Sequence, residues 1–345
     1  MLIFVFLISL IFAKQNSVIM ILCRNSDMED IKKSLDQFER RFNSKFNYPY
    51  VFLNDSPWTE EFKRELNVVT RNNATYGQVE SKDWSMPKDI VKEDIMRSWN
   101  LMKEKRVPYA DSESYHNMCR FFSRTFYKHP LLAQYKYYWR IEPGVSFHCD
   151  VENDPFDFME KEKKVYGFTI MMYEYMESIP TLEKTFNDFL SQNQSLIPKN
   201  IAPLSFIYND KRQFNGCHFW SNFEIASFDF FRSSLYNKYV DFLEEKKGFY
   251  TERWGDAPVH TFAVVNFLDK KQIHFFNDIG YTHPPMTHCP SDGKNCDCKP
   301  ESSFDYAPGS CLPRYMNDIK GMLGPNANQQ AYFVNNLHQQ ANKHV

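Results

Sequence analysis

The chain has 345 residues, 43% of them hydrophobic, which is enough to bury the core of one α/β enzyme domain. The formal net charge of −2 argues against nucleic acid as a partner, because proteins that neutralise a phosphate backbone usually carry a strongly basic surface. A local basic pocket for a single diphosphate is compatible with this charge.

The N-terminal segment is typical of a targeting sequence. Leu2 to Ala13 form an uncharged apolar run with the length of a signal-peptide core, shorter than a full membrane span. We therefore expect residues 1–13 to be a signal peptide or a short signal anchor that attaches the chain to a membrane, and residues 14–345 to form one catalytic domain. A buried first strand is the alternative for the same run.

Eight cysteines in a chain that enters an oxidising compartment indicate disulfides. A zinc site is the alternative, but Cys296 and Cys298 are separated by one residue, whereas zinc ribbons usually have two or more between such ligands. The spacing does not give the connectivity. We predict that the four late cysteines are oxidised: Cys289, Cys296, Cys298 and Cys311.

Three sequence patterns fit N-glycosylation acceptors. They begin at Asn54, Asn73 and Asn193. Because a glycan must be attached to an accessible side chain, each pattern predicts a surface loop.

The beginning of the domain predicts a βαβ unit. An apolar run at Val18–Cys23 indicates a buried strand, residues 28–43 carry apolar positions at the spacing of an amphipathic helix, and Tyr50–Leu53 reads as a second strand. Such units bind nucleotides at the carboxyl ends of their strands. The sequence has neither the glycine-rich dinucleotide motif nor a P-loop, which excludes a standard dehydrogenase and a P-loop enzyme.

Further elements follow from periodicity and composition. Residues 115–130 predict a helix, and the aromatic run 135–141 predicts a strand that ends at Glu142. We also expect a strand over 165–175, helices over 181–190 and 228–245, and a glycine cap for the last helix at Gly248.

Several acids and histidines could carry chemistry. Glu142, at a strand end, could hold a divalent ion that neutralises a diphosphate, or could be an ordinary surface acid before a turn. Glu224, among aromatic residues, could stabilise a sugar cation or act as nucleophile, or could be a helix-start charge. Asp256 also has two interpretations: it could hydrogen-bond to sugar hydroxyls, or it could lie in a polar loop without a catalytic role. His274, Asp278 and His283 form a group from which an imidazole could complete a manganese site.

Beyond these local patterns, the chain closely resembles the fungal Golgi α-1,2-mannosyltransferases, which extend O- and N-linked mannose chains. The resemblance covers nearly the whole chain after the leader, with its blocks in the family's order. It is carried by these stretches: Phe46 to Asp55, Met118 to Arg120, Tyr138 to Pro143, Asp154 to Phe156, Tyr166 to Thr169, Cys217 to Ile225, Glu252 to His260 and Gly280 to Pro285.

The resemblance implies a fold and a reaction. The fold is a single Rossmann-like nucleotide-sugar transferase domain of the GT-A type, an α/β domain with a mixed central sheet. The reaction is the transfer of mannose from GDP-mannose, with retention of configuration and with Mn²⁺, to a mannosylated glycoprotein or oligosaccharide. The compartment is the Golgi lumen of the secretory pathway.

Site residues are implied in the same way. Glu142 and His283 would bind Mn²⁺, and Arg24 would lie by the guanosine. Tyr115 and Arg120 would face the diphosphate or the donor sugar. Two departures from the family pattern concern the donor contacts: His116 stands where an arginine is frequent, and Gly144 where many members have an acid.

The resemblance also implies which residues act on the sugar. Glu224 would be the candidate nucleophile, with Asp256 in contact with donor or acceptor mannose and Tyr115 beside the reacting sugar. A catalytically inactive mannose- or nucleotide-sugar-binding protein of the same fold is the alternative, and an inverting transferase or a glycosidase is a third interpretation. Loss of the acids would favour the inactive protein, but Glu142, Glu224 and Asp256 are all present.

Overall fold

A computed structural model of the protein describes residues 15–320. The leader predicted over residues 1–13 lies outside the described residues. Among residues 15–320, no helix combines the length and the apolar character needed to cross a membrane.

The strands of the described residues are mostly short. They are β1 Ser17–Leu22, β2 Tyr50–Asn54, β3 Ala74–Gln78, β4 Tyr137–Ile141, β5 Ser146–Phe147, β6 Tyr166–Phe168, β7 Met171–Tyr173, β8 Cys217–Phe219, β9 Glu224–Ser227, β10 Ile273–Phe275, β11 Tyr281–His283 and β12 Met286–His288.

The helices fill the segments between these strands. They are α1 Met28–Phe38, α2 Ser44–Phe46, α3 Glu60–Val69, α4 Ser81–Trp84, α5 Lys92–Glu104, α6 Glu113–Arg124, α7 Pro155–Lys161, α8 Leu182–Gln192, α9 Phe228–Arg232, α10 Ser234–Lys246, α11 Gly248–Thr251, α12 Asp256–Phe267 and α13 Leu312–Ile319.

Seven strands form the central sheet, in the order β10-β6-β9-β4-β1-β2-β3. β9 runs antiparallel to both of its neighbours, β4 and β6, while the other pairs are parallel. The predicted mixed α/β sheet is therefore confirmed. The chain moves outward from β1 through β2 to β3 and then returns to the other side of β1 as β4, so the direction of winding reverses between β1 and β4.

The predicted βαβ unit is present. β1 and β2 are parallel neighbours joined by α1, whose apolar side buries Ile31, Leu35 and Phe38. The helical path predicted to residue 43 continues past α1 as one π-helical turn, Glu39–Asn43.

Three predicted elements are corrected. The strand expected over 165–175 is two strands, because the chain leaves the central sheet after β6 and pairs with β8 as β7. The helix expected over 228–245 is broken at Ser233, whose extended backbone ends α9 and whose hydroxyl caps α10. Lys247, not Gly248, is the left-handed residue that ends α10, and a side chain at Gly248 would lie 2.1 Å from Trp254.

Aromatic and aliphatic side chains bury both faces of the sheet. On one face α1 and α3 cover a cluster around Trp139, Phe38 and Phe42. On the other face the longer helices surround α12, which is buried on nearly all sides. The result is the three-layer arrangement of an α/β domain.

Six cysteines form three disulfides, and the predicted oxidation of the four late cysteines is confirmed. The pairs are Cys149–Cys296, Cys217–Cys311 and Cys289–Cys298. Cys23 and Cys119 are free and buried. The disulfides remove the zinc alternative, because zinc is bound by cysteine thiolates and a cysteine in a disulfide has no thiolate.

The glycosylation patterns differ in their surroundings. Asn54 is the last residue of β2 and is only 2% exposed, so the loop predicted there is wrong. β2 lies between β1 and β3 in the central sheet and all of its residues are buried. The buried side chain of Asn54 cannot accept a glycan. Asn73 and Asn193 are partly exposed.

Candidate active site

The reversal of winding between β1 and β4 opens a crevice at their carboxyl ends, where α/β sheets bind ligands. A cavity lies at the carboxyl ends of β1 and β2, with Met118 of α6 in its wall. The sulfur of Met118 is also 4.0 Å from Arg140 Nη2. The cavity is therefore one side chain away from Arg140 of β4. Its lining consists of Leu22, Cys23, Arg24, Asp27, Asn54, Asp55, Trp84, Ser114 and Met118.

Alternate residues of β4 place a polar row on one face of the sheet. Tyr138, Arg140 and Glu142 follow the two-residue period of a strand, so their side chains share that face. Arg140 is 2% exposed and its guanidinium lies 3.4 Å from the ring centre of Phe122. A buried arginine needs anionic partners, because an unpaired buried charge is strongly destabilising.

Two carboxylates supply those partners. Arg140 donates through Nε to Glu142 Oε1 at 2.9 Å and through Nη1 to Asp256 Oδ2 at 2.6 Å. Asp256 begins α12 and also accepts from Ser221 Oγ at 2.7 Å. The structure thus brings the predicted residues Glu142 and Asp256 together around one arginine.

His283 completes this group from β11. Its Nε2 atom is 3.4 Å from Glu142 Oε2. Burial opposes ionisation of Glu142, but Arg140 and His283 outweigh it and lower the pKa of Glu142 to about 2. Burial also acts against protonation of His283, yet the contact with Glu142 raises its pKa above the ordinary value. Glu142 and His283, which have 140 residues between them in the sequence, are therefore neighbours in the structure.

Glu224 lies at the start of β9 with no exposed surface. Both of its oxygens are occupied: Tyr138 Oη donates to Oε2 at 2.8 Å and Tyr166 Oη to Oε1 at 2.8 Å. His260 Nδ1 is 2.7 Å from Oε1, and its Nε2 is 2.9 Å from the carbonyl oxygen of Phe122. Both histidine nitrogens therefore face oxygen acceptors, which matches an imidazolium. Burial lowers the pKa of His260, but Glu224 outweighs it and the net shift is upward.

Tyr115 stands in the first turn of α6, where Ser112 caps the helix. Its hydroxyl accepts from Arg253 Nη1 at 3.1 Å, and its ring stacks on that of Tyr109 at 4.7 Å. Arg253 is 3% exposed and also binds Glu174 at 3.0 Å. Tyr115 thus belongs to a second arginine-centred group.

The two predicted donor-binding arginines have different surroundings. Arg24 follows β1, is exposed, lines the cavity and donates to Ser114 Oγ. Arg120 is 5% exposed and donates through Nε and Nη2 to Glu244 at 2.9 and 2.7 Å. It also donates to the carbonyl oxygens of Asp83 and Ser85. This placement favours a structural role for Arg120, and its contact with the donor stays a prediction.

Of the three residues considered for manganese around β10 and β11, only His283 faces a carboxylate of the site. His274 packs between Phe158 and Phe276, at 4.4 and 4.7 Å between ring centres, and burial lowers its pKa to about 3. Burial raises the pKa of Asp278. Over residues 15–320, no three His, Cys, Asp or Glu side chains converge as a metal cluster.

Sequence reasoning gave no role to Arg140, Ser221 or His260. An arginine inside an aromatic strand and a histidine inside a largely apolar helix were signals that each needs a buried partner of opposite charge. Ser221 carried no comparable signal, because its contact with Asp256 depends on how the turn between β8 and β9 is placed against α12.

A mixed sheet with a crevice at its point of reversal, and a carboxylate–histidine pair beside that crevice, define a nucleotide-sugar transferase of the GT-A type. The family profile described as glycolipid 2-alpha-mannosyltransferase matches residues 10–320. The chain belongs to this family of glycosyltransferases.

Curated relatives support the same assignment. The chain is 44% identical over 304 residues to the O-glycoside alpha-1,2-mannosyltransferase omh1 of Schizosaccharomyces pombe, covering 87% of this chain and 78% of that protein. It is 43% identical over 310 residues to the alpha-1,2 mannosyltransferase KTR1 of Saccharomyces cerevisiae, covering 88% and 79%.

Two solved structures share the fold. Core-mannan synthase A of Aspergillus fumigatus, in its Mn/GDP form, matches with a TM-score of 0.85 and 40% identity over 89% of this chain and 86% of that one. The mannosyltransferase Ktr4p of S. cerevisiae in complex with GDP matches with a TM-score of 0.84 and 40% identity, covering 88% and 82%.

Proposed function

We propose that this protein is an α-1,2-mannosyltransferase that moves mannose from GDP-mannose to a mannose-bearing acceptor in glycan elongation, with retention of configuration. The observation that carries the proposal is the group of Arg140, Glu142, His283 and Asp256 at the carboxyl end of β4, beside a cavity at the end of β1. The names of the relatives and the Mn and GDP of the matching structures support the same reaction.

Glu142 and His283 are suited to hold the divalent ion. A carboxylate oxygen and an imidazole nitrogen 3.4 Å apart are ligand types that Mn²⁺ accepts, and the low pKa keeps Glu142 ionised. Two protein ligands match an ion that is otherwise held by substrate phosphates and water. When bound, Mn²⁺ would neutralise charge on the diphosphate.

Donor binding is assigned to the crevice between β1 and β4. Arg24 lines the cavity and carries an exposed positive charge suited to the nucleotide. Tyr115 and the buried Arg253 can border the diphosphate or the sugar. Arg120 was implied by the resemblance for the same task, and its pairing with Glu244 supports that role less than it supports a structural one.

Asp256 is assigned to a sugar contact. Its Oδ2 atom already accepts from Arg140 and Ser221, so the carboxylate is fixed in position. A fixed acceptor at the start of a helix can orient a mannose hydroxyl without losing side-chain freedom on binding. The acceptor hydroxyl and the donor sugar would be aligned by such contacts.

Glu224 is assigned to charge stabilisation. In the transfer, the bond from C1 of mannose to the phosphate oxygen breaks with its electron pair going to GDP, and the acceptor oxygen bonds to C1 and gives its proton to the departing phosphate. A covalent adduct would need one Glu224 oxygen to meet C1, but both oxygens are hydrogen-bonded and the residue has no exposed surface. This burial favours same-face substitution, with Glu224 supplying negative charge to the developing sugar cation.

Incubation of the purified protein with GDP-mannose, Mn²⁺ and methyl α-mannoside tests the function. We expect an α-1,2-linked disaccharide, identified by mass spectrometry and NMR. Binding of GDP-mannose without turnover would instead support the inactive binding protein, and release of free mannose alone would support a hydrolase.

The Golgi lumen is the proposed compartment. Three disulfides fit an oxidising environment, and fungal mannosyltransferase relatives fit the secretory pathway. We propose that residues 1–13 direct the chain there and can attach it to the membrane. Imaging of a tagged full chain against one that lacks residues 2–13 would test this, since the shorter chain should remain in the cytosol.

A further inference from the structure

The strand that carries His283 belongs to a small sheet, separate from the central one. This sheet has the order β12-β11-β5, and its strands have only two or three residues each. β11 pairs with β5 through Thr282 with Ser146 and Tyr281 with Phe147. So short a pairing is weak by itself, and side-chain contacts must therefore fix how β11 lies against β5.

The alternation of side chains along β11 gives the small sheet two different faces. Tyr281 and His283 share one face. The ring of Tyr281 packs on Phe147 at 5.6 Å between ring centres, and His283 Nε2 lies 3.4 Å from Glu142 Oε2. Thr282 stands between them in the sequence, so its side chain points to the opposite face. A change at Thr282 therefore removes nothing from the face that carries the metal ligand.

Three hydrogen-bonded side chains cross that opposite face, and we call them the polar row: His148, Thr282 and Thr287. Nε2 of His148, the residue after β5, is 2.7 Å from Thr282 Oγ1, and Thr282 Oγ1 is 2.7 Å from Thr287 Oγ1 of β12. Nδ1 of His148 is 2.7 Å from Asp297 Oδ1. A carboxylate only accepts, so Nδ1–H donates to Asp297 and Nε2 accepts from the Thr282 hydroxyl. The polar row thus joins all three strands of the sheet.

Asp297 attaches the polar row to the rest of the domain. Its Oδ2 atom accepts from Arg41 Nη2 at 3.1 Å, and Arg41 Nη1 donates to Asp150 at 2.8 Å. Arg41 belongs to the π-helical turn that follows α1. The side chain of Asp297 is 62% exposed, but its two chain neighbours, Cys296 and Cys298, are both in disulfides. The backbone at Asp297 is therefore held on both sides.

We propose that Thr282 and His148 are positioning residues for His283, the imidazole assigned to Mn²⁺. Thr282 directly precedes His283, so the bonds of its hydroxyl fix the place on β11 from which the imidazole meets Glu142. Groups that support metal ligands in this way commonly change metal affinity by about 10- to 100-fold. The inference rests on the proposed function, because it takes Glu142 and His283 as the metal ligands.

Binding of Mn²⁺ to the full chain in saturating GDP tests the proposal, with the free ion measured by its electron paramagnetic resonance signal. Thr282→Val keeps the β-branched shape and removes the hydroxyl, so the affinity for Mn²⁺ should fall by about tenfold. Thr282→Ser returns a hydroxyl and should recover most of that loss. The affinity for GDP without Mn²⁺ should stay unchanged in each variant, since the polar row lies outside the lining of the donor cavity.

A second variant breaks the polar row from its other end. The side chain of His148 is 20% exposed, so His148→Ala leaves no closed cavity in the core. We expect a loss of Mn²⁺ affinity of about tenfold here too, and the same loss of about tenfold in the double variant with Thr282→Val, because both changes interrupt one chain of bonds. If Thr282→Val fails to fold, His148→Ala carries the test.

Ser146→Ala is the matched control. Ser146 is the register partner of Thr282 and shares its face of the small sheet, but it is not a member of the polar row. Its substitution should leave the affinity for Mn²⁺ at the value of the parent. An equal loss in Ser146→Ala would show that any change on this face disturbs His283, and the assignment to Thr282 and His148 would be wrong.

A role limited to stability would give a different pattern. The thermal midpoint of Thr282→Val would fall while the folded variant bound Mn²⁺ as tightly as the parent, and this result would overturn the proposal while the proposed function stood. Additive losses in the double variant would overturn the polar row as one unit. If the parent itself binds no Mn²⁺ in the presence of GDP, the metal assignment of the proposed function fails, and the inference fails with it.

Discussion

Arg140 and Glu224 are register partners across the antiparallel strands β4 and β9, yet their side chains bind different groups. Arg140 binds the carboxylates of Glu142 and Asp256, whereas Glu224 accepts from two tyrosines and pairs with His260. The two buried charges therefore have separate hydrogen-bond partners, while the charge of Glu224 also contributes to raising the pKa of Arg140. A change at Glu224 should for this reason leave the Arg140 group in place.

The first prediction concerns Glu224→Gln. This substitution keeps the shape of the side chain and removes its charge, so we expect kcat to fall by roughly 10²- to 10³-fold with KM little changed. Steady-state kinetics with GDP-mannose would measure the effect. A loss of several further powers of ten would favour a covalent nucleophile. A near-normal kcat would contradict both the nucleophilic and the charge-stabilising role of Glu224.

Glu160→Gln is the matched control for this experiment. Glu160 also accepts from a β4 tyrosine, since Tyr137 Oη donates to it at 3.0 Å, but it does so on the opposite face of the sheet from Tyr138. Its charge lies away from the crevice. We expect kcat of Glu160→Gln to equal that of the parent, which would show that the loss at Glu224 is specific to its position.

The second prediction concerns the metal. Glu142→Gln keeps an oxygen for Arg140 but removes the anionic ligand, so the enhancement of GDP affinity by Mn²⁺ should fall by roughly 10²-fold, and His283→Asn should reduce it less. Titrations of GDP with and without Mn²⁺ would measure this. His129→Asn is the control. His129 lies outside the site, where its Nδ1 accepts from the backbone N–H of Leu131, and an asparagine side chain can accept the same hydrogen bond. Full turnover in excess chelator would contradict the prediction.

The third prediction separates two roles for Arg120. Glu244→Leu should destabilise the fold by about 3–5 kcal/mol, because it leaves a buried guanidinium unpaired, while the double variant Arg120→Met, Glu244→Leu should regain most of that loss. Urea unfolding would give the free energies. We expect the folded double variant to bind GDP as the parent does, and a loss of affinity there would support the donor contact that the family resemblance implies.

The fourth prediction concerns the disulfides. In the chain-entropy view a bridge stabilises more when it closes a longer loop. Removing Cys217–Cys311, which spans 94 residues, should therefore cost roughly 4–5 kcal/mol, against about 2–3 kcal/mol for Cys289–Cys298, which spans 9. Unfolding of the two Cys→Ser pairs would compare them, and equal losses would contradict the loop-length argument.

The fifth prediction is a pH dependence of stability. His288 is buried with Nδ1 at 2.6 Å from Asp305 and Nε2 at 3.2 Å from the carbonyl oxygen of Asn277. Burial lowers the pKa of His288, but Asp305 outweighs it and the pKa is raised. The stabilisation is thus complete below the ordinary value of about 6.5 and is lost as pH rises through the folded-state pKa.

His288→Gln tests this dependence. The free energy of unfolding should favour the parent most at about pH 6, and the difference between parent and variant should shrink towards about pH 9. Groups that do not face His288, such as His260, titrate equally in both proteins, so the comparison reports on His288 together with the carboxylates that it faces, Asp305 and Asp278. A difference that is the same at both pH values would show that the histidine acts through packing alone.

The sequence by itself determined the family, the class of fold and the oxidised state of the late cysteines. Local periodicity was sufficient for β1, α1 and β2, because a buried strand and an amphipathic helix each carry their own pattern. It failed at residues 165–175, where the chain changes sheets, since strand propensity does not record which partner strand is adjacent. The cysteine pairs likewise depended on which strands are neighbours.

Only the tertiary structure decided the partners of each charge. Glu142 and His283 could each be named from the sequence, but their 3.4 Å contact depends on β11 lying beside β5, the strand after the turn that follows Glu142. Arg120 was named for the donor and is paired with Glu244 of α10. A buried charge binds whichever opposite charge the packing brings near, and in these two pairs that neighbour lies more than a hundred residues away in the chain.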